Sequence, residues 1–237
     1  MKKIADIVCL LTGLILIVGL FFFMMSKSDN LGSVASAPKE INHKQSAYFK
    51  RPDFFNLVSD KNLTILSNYP TYQQTTEYSC GPAAALTVLE YYNHKNFTEK
   101  YLIKEMKTSS ETGTTVKRMS DYFRNIGWNV KQNQGEQNTF DTYEKFADFV
   151  IQQLKQGRPI LVENTVWGGH WRVIIGYDTI GTSSILDDVL IFADPYDTAD
   201  HNQDGYTIGN GQEFFWSWFE YKFQENERYQ PFVVAYP

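Results

Sequence analysis

The sequence predicts an α+β protein, with helices early in the folded part and strands of an antiparallel sheet late. Three observations predict it. Apolar residues recur at helical spacing in several segments up to Gln156. Beyond Gly157 the pattern changes to short, β-branched or aromatic runs separated by turn residues. The two kinds of segment follow one another and do not alternate, which argues against a doubly wound α/β arrangement.

Taken in order, Leu63–Leu66 reads as a short strand and Tyr69–Gln74 as a loop. Ala83 to Tyr92 reads as a helix, from its alanines and leucines and from Leu86, Leu89 and Tyr92 at helical spacing. Pro82 suits its first turn, where the missing N–H costs nothing. Thr115 to Asn125 reads as a second helix closed by Gly127, and Trp128 to Lys131 as a strand. Asp141 to Gln156 is the clearest helix: Asp141 with Glu144 forms a capping pattern, and Phe146, Phe149, Val150 and Leu154 line one face. Then come strands at Pro159–Val162, His170–Tyr177, Val189–Ala193 and Phe232–Ala235, with a buried helix at Phe214–Tyr221. The aromatics Trp167, Trp171, Trp216, Trp218 and Tyr196 are expected mostly in the core, with Trp167 or Trp171 walling a cleft beside His170.

The first part of the chain is different. Residues 4–25 form an apolar run in which only Asp6 is charged, long enough to cross a bilayer as a signal anchor. Lys2 and Lys3 place residues 1–3 in the cytoplasm. Residues 26–46, rich in Ser, Lys, Asn and Ala, read as a flexible stalk. Residues 47–237 are then a single extracytoplasmic domain at the cell membrane. A net charge of −5 with no basic stripe excludes nucleic acid as the expected partner.

Of two cysteines, Cys9 falls in the apolar run, so the domain holds one thiol, Cys80, and no disulfide. Cys80 stands directly before the start of its helix, where the dipole and unpaired amides favour a thiolate. Thiolate is the attacking species in acyl transfer. Gly81 would let backbone and substrate approach closely. A base must then protonate the departing amine, and His170, where the turn Gly168-Gly169 meets a strand, is the candidate. Asp194, at the end of the next strand and before Pro195, is the candidate to orient it.

These residues carry a resemblance. Tyr72-Gln73-Gln74-Thr75-Thr76-Glu77-Tyr78-Ser79-Cys80-Gly81-Pro82-Ala83-Ala84 resembles the active-site segment of the bacteriocin leader peptidases, cysteine peptidase family 39. His170-Trp171-Arg172-Val173-Ile174 is similar to that family's His-aromatic-Val-Val-Ile strand, and Ala193-Asp194-Pro195 to its Asp-Pro pair. The aromatic segment Phe214–Trp218 also resembles these proteins, so the likeness runs over roughly residues 68–237. It implies a papain-like fold, with a helical lobe bearing the nucleophile and an antiparallel β lobe. It implies Cys80, His170 and Asp194 as catalytic residues, and Gln74, six positions before the cysteine, as the oxyanion donor. No cofactor is then required. Ser79 stands where the family commonly has Asp, and Trp171 where it has Tyr or Phe. With no ATP-binding cassette in the sequence, a leader-cleaving exporter is not expected.

A peptide or protein substrate cut by a thiol peptidase is the reading these residues favour. The alternatives are a peptidyl transferase similar to phytochelatin synthase, and a non-catalytic module binding peptide or cell wall in the same cleft. Asp200, Asn202 and Asp204, in Asp-His-Asn-Gln-Asp-Gly, match the start of a calcium loop whose twelfth-position acid is missing, so a structural calcium is a lesser expectation.

Overall fold

A computed structural model describes residues 52–133, 135, 138–164, 169–197, 203–218 and 229–237. The predicted cytoplasmic terminus, anchor and stalk (1–46) lie outside these residues. Among the described residues no helix is long and apolar enough to cross a membrane.

The described part is α+β with an antiparallel sheet. A 3-10 turn at Phe54–Asn56 leads to β1 (Leu63–Ile65), α1 (Cys80–Tyr91), α2 (Glu99–Glu105) and α3 (Val116–Asn125). Then follow β2 (Asn129–Asn133), α4 (Tyr143–Lys155), β3 (Ile160–Asn164), β4 (His170–Asp178), β5 (Val189–Ala193) and β6 (Tyr206–Asn210). A short helix α5 (Gly211–Ser217) and β7 (Phe232–Tyr236) complete it. The strand order is β2-β7-β3-β4-β5-β6, with β1 pairing on β4. Thus β1 and β2, from the helical half of the sequence, join the sheet of the later half.

Local chemistry explains several element boundaries. α4 begins one residue later than its capping pattern suggests: Thr142, not Asp141, is the cap, its hydroxyl accepting from the Lys145 amide. Thr115 caps α3 in the same way through Arg118. α2 and β6 have no counterpart in the sequence pattern; α2 is short, and Thr98 caps it through Tyr101. Gly127 ends α3 at φ +87°, a conformation that costs glycine least.

α1 is buried at every position from Cys80 to Leu89, so it is a central helix with no solvent face. Its alanines let it lie close to β4 and α2. On the sheet, Phe146 of α4 packs against Phe140, Phe214, Phe215 and Trp218. Each of these rings that is fully buried contributes about 2–3 kcal/mol through area removed from water. Trp218 is fully buried and donates its indole N–H to the Glu163 carbonyl over 2.9 Å. Trp216 and Tyr196, expected in the core, are instead exposed, at 63% and 43%. Trp216 sits two residues from Trp218 on a short helix and so cannot share its face.

Candidate active site

Strand register brings two of the four predicted residues, His170 and Asp194, together. β4 and β5 are antiparallel neighbours with Val173 opposite Ala193. One step further on each strand puts Arg172 opposite Asp194, and His170 two residues along the same face. His170 Nε2 lies 2.6 Å from Asp194 Oδ1. The Cys80 sulfur is close enough to the same ring to raise its pKa. Cys80 is the first residue of α1, not the residue before it, and Ser79 is the cap position.

Ser79 does not cap the helix through its side chain. Its hydroxyl instead accepts from the amide and hydroxyl of Thr76, at 3.2 and 2.7 Å. The first amides of α1 therefore have no side-chain cap. Gly81 makes room within the chain itself. A Cβ there would come within 2.6 Å of the Thr114 side chain, so its bareness admits the loop before α3. That loop is held to the site by Trp171, which is buried and donates to the Thr114 carbonyl over 2.7 Å. Trp171 is core and does not wall a cleft; Trp167 lies outside the described residues.

The site is recessed, with Cys80 7% and Asp194 8% exposed. Burial pulls the His170 pKa down, but its hydrogen bonds with Asp194 and Cys80 and their negative charges outweigh this. The net is a rise to about 9. Burial likewise pushes the Asp194 carboxyl up, yet the His170 hydrogen bond and charge, Arg172 and the Tyr196 amide hold it below the usual carboxylate range. The imidazole is therefore kept as a cation beside the Asp194 carboxylate at neutral pH.

Asp194 has more partners than the sequence disclosed. Oδ1 also accepts from the backbone N–H of Tyr196 and Asp197, at 3.0 and 3.4 Å. Oδ2 accepts from the Thr207 hydroxyl of β6 at 3.3 Å and lies 3.9 Å from Arg172 Nη1. The Arg172 guanidinium stacks 4.0 Å from the Phe192 ring centroid. Strand alternation could have flagged Arg172, two residues from His170; nothing local marks Thr207. Arg172→Met, which keeps the stem over Phe192, is expected to move the acid limb of the pH–rate profile upward, because Asp194 loses a cation that favours its charge. It should also cost roughly 1–2 kcal/mol. Thermal melts and a pH–rate series measure both, and an unmoved acid limb would deny the coupling.

Gln74 reaches the site through its backbone, donating its N–H to the Pro195 carbonyl over 2.9 Å. Its side-chain amide donates one hydrogen to the Thr76 carbonyl at 2.8 Å, which leaves the second free. Its side-chain oxygen is buried without a hydrogen-bond partner.

The calcium expectation falls mostly outside the described residues, since Asp200 and Asn202 are not among them. Asp204 accepts from the Tyr206 amide at 3.0 Å, an ordinary turn role. Among the described residues no cluster of His, Cys, Asp and Glu is disposed to hold a metal.

The model of the family described as Peptidase_C39 like family matches residues 66–226. No curated protein matches. Among solved structures, the peptidase domain of Streptococcus ComA, a bifunctional ABC transporter involved in a quorum-sensing pathway, is 19% identical. The match covers 70% of this chain and 96% of that one, with a TM-score of 0.44. A double-glycine-motif protease from an AMS/PCAT transporter, solved with a leader peptide, is 17% identical over 71% of this chain and 91% of that one, TM-score 0.46. The peptidase domain of Streptococcus mutans ComA is 17% identical over 70% and 97%, TM-score 0.37.

Proposed function

Since the chain belongs to the Peptidase_C39-like family and is a cysteine peptidase, we propose that it opens a peptide or isopeptide amide bond by acyl transfer through Cys80, His170, Asp194 and Gln74. One observation carries the proposal: a single imidazole bonded to Asp194 at 2.6 Å whose charge is also favoured by the Cys80 sulfur, itself the first residue of a helix. A buried histidine serving only the core has no need of both partners.

In this reading the Cys80 thiolate attacks the amide carbon. The developing oxyanion is met by the Cys80 backbone N–H and the free N–H of Gln74, each such donor lowering the barrier by about 3 kcal/mol. The C–N bond breaks as His170 gives its proton to the leaving amine, and Cys80 is left as a thioester. Water then attacks, losing a proton to His170, and the acid product departs as the thiolate re-forms. Asp194 keeps the ring oriented and favours its protonated form. No step draws on a metal or cofactor. The substrate is a peptide or protein, and the domain works outside the cytoplasm, carried on the membrane by residues 4–25.

The test is reactivity. Cys80 is expected to be alkylated by iodoacetamide at neutral pH faster than a free thiol, and the advantage is expected to vanish in His170→Ala and on denaturation. Mass spectrometry after incubation with a peptide library should find a thioester on Cys80. A thiol that reacts no faster than its denatured self, with no adduct, leaves only a binding module.

A further inference from the structure

Glu99, the first residue of α2, is only 3% exposed, which is unusual for a carboxylate at a helix start. An acid placed there merely to suit the helix dipole would face water. Its two oxygens are spent elsewhere. Oε2 accepts from the Tyr72 hydroxyl at 3.2 Å, and Oε1 from the Thr75 backbone N–H at 3.1 Å. These partners bracket Gln74, whose own N–H is tied to Pro195. Tyr72 is itself buried, its hydroxyl held protonated first by burial and then by the Glu99 charge and hydrogen bond. The segment from 72 to 75 is thus fastened to α2 on both sides of Gln74 and to the Asp194-Pro195 turn at its centre.

We propose that Glu99 is the positioning residue of the oxyanion site, fixing the loop that aims the Gln74 amide; this rests on the reading of Gln74 as an oxyanion donor. Glu99 touches neither sulfur nor imidazole in any hydrogen bond and acts through the loop alone. The Cys80–His170–Asp194 chain should therefore keep its reactivity when Glu99 is altered, while turnover falls. That split separates positioning from general damage to the fold.

The experiment compares the full-length wild type, Gln74→Ala, Glu99→Ala, Glu99→Gln, Tyr72→Phe and the Gln74→Ala/Glu99→Ala double variant. Each is assayed by initial cleavage of a quenched fluorescent peptide library and by the rate of Cys80 alkylation with iodoacetamide. Gln74→Ala is expected to slow cleavage about 100-fold, as loss of one oxyanion donor does. Glu99→Ala is expected to slow it roughly 10- to 30-fold with alkylation unchanged within about twofold, and to add nothing in the Gln74→Ala background. Glu99→Gln, which keeps the acceptor for Thr75, should recover most of the rate. If Glu99→Ala does not fold, Tyr72→Phe, which is nearly isosteric, answers in its place with a several-fold loss of the same pattern. A Gln74→Ala protein as fast as wild type would remove the oxyanion reading and this inference with it. A slow Gln74→Ala beside a full-speed Glu99→Ala, or losses that multiply in the double variant, would overturn the inference alone.

Discussion

Replacing Cys80 by alanine is expected to abolish cleavage while leaving the fold intact. The loss should be on the order of 10⁵-fold or more, the scale seen when a covalent nucleophile is removed from a hydrolase. The stability change should be small. Cys80 lies among Ala83, Ala84 and Ala85 in a helix that packs by small side chains, and alanine is the best helix former. Deleting one buried sulfur costs about 1 kcal/mol or less in area. His170 keeps Asp194, so the imidazole is not stranded. Peptide binding should persist in the alanine variant, because only the bond-forming atom is gone. Melting temperature, peptide-library cleavage and binding of the same peptides give the three readouts. Cleavage that survives Cys80→Ala would overturn the assignment of the nucleophile.

What the sequence disclosed, and what it hid, follows from the range of the forces. α4 and α1 were legible because their signal is local: apolar spacing and caps within a dozen residues. α2 was not, being two turns long, with its burial decided by a carboxylate that reaches a loop 24 residues back. β6 leaves no sequence signal because Tyr206–Asn210 lacks alternation and owes its place to pairing with β5. Cys80, His170 and Asp194 could be found from a helix start, a strand start and an Asp-Pro turn, each a local signature. The meeting of His170 with Asp194 depends on the β4–β5 register, which no short window contains. Gly81 also makes room for the side chain of Thr114, 33 residues away, and closeness of that kind leaves no trace in a local pattern. Ser79, a departure from the pattern of leader peptidases, finds its explanation in the Thr76 hydroxyl and amide that it engages.

The second large effect is expected at Asp194, and its sign can be derived. His170 is raised from an ordinary value near 6.5 to about 9 in the folded protein. A group raised by folding contributes stability that is complete below its unfolded pKa and lost as pH climbs through the folded one. The wild type should therefore weaken between about pH 6.5 and 9, by on the order of a few kcal/mol. Asp194 runs the other way: its lowered carboxyl contributes above the ordinary range near pH 4 and loses that contribution as pH falls through the folded value. Asp194→Asn keeps a carbonyl able to accept from His170, Tyr196 and Asp197, so the turn survives. It removes the charge that favours imidazolium. Its alkaline stability loss should flatten, the alkaline limb of its pH–rate profile should move downward from about 9, and turnover at neutral pH should fall roughly 10²- to 10⁴-fold. Arg172, left facing an amide, adds to the cost. Urea denaturation from pH 5 to 10, run beside the pH–rate series for both proteins, tests the chain of reasoning. Superimposable alkaline limbs would mean that Asp194 steadies the ring without setting its charge.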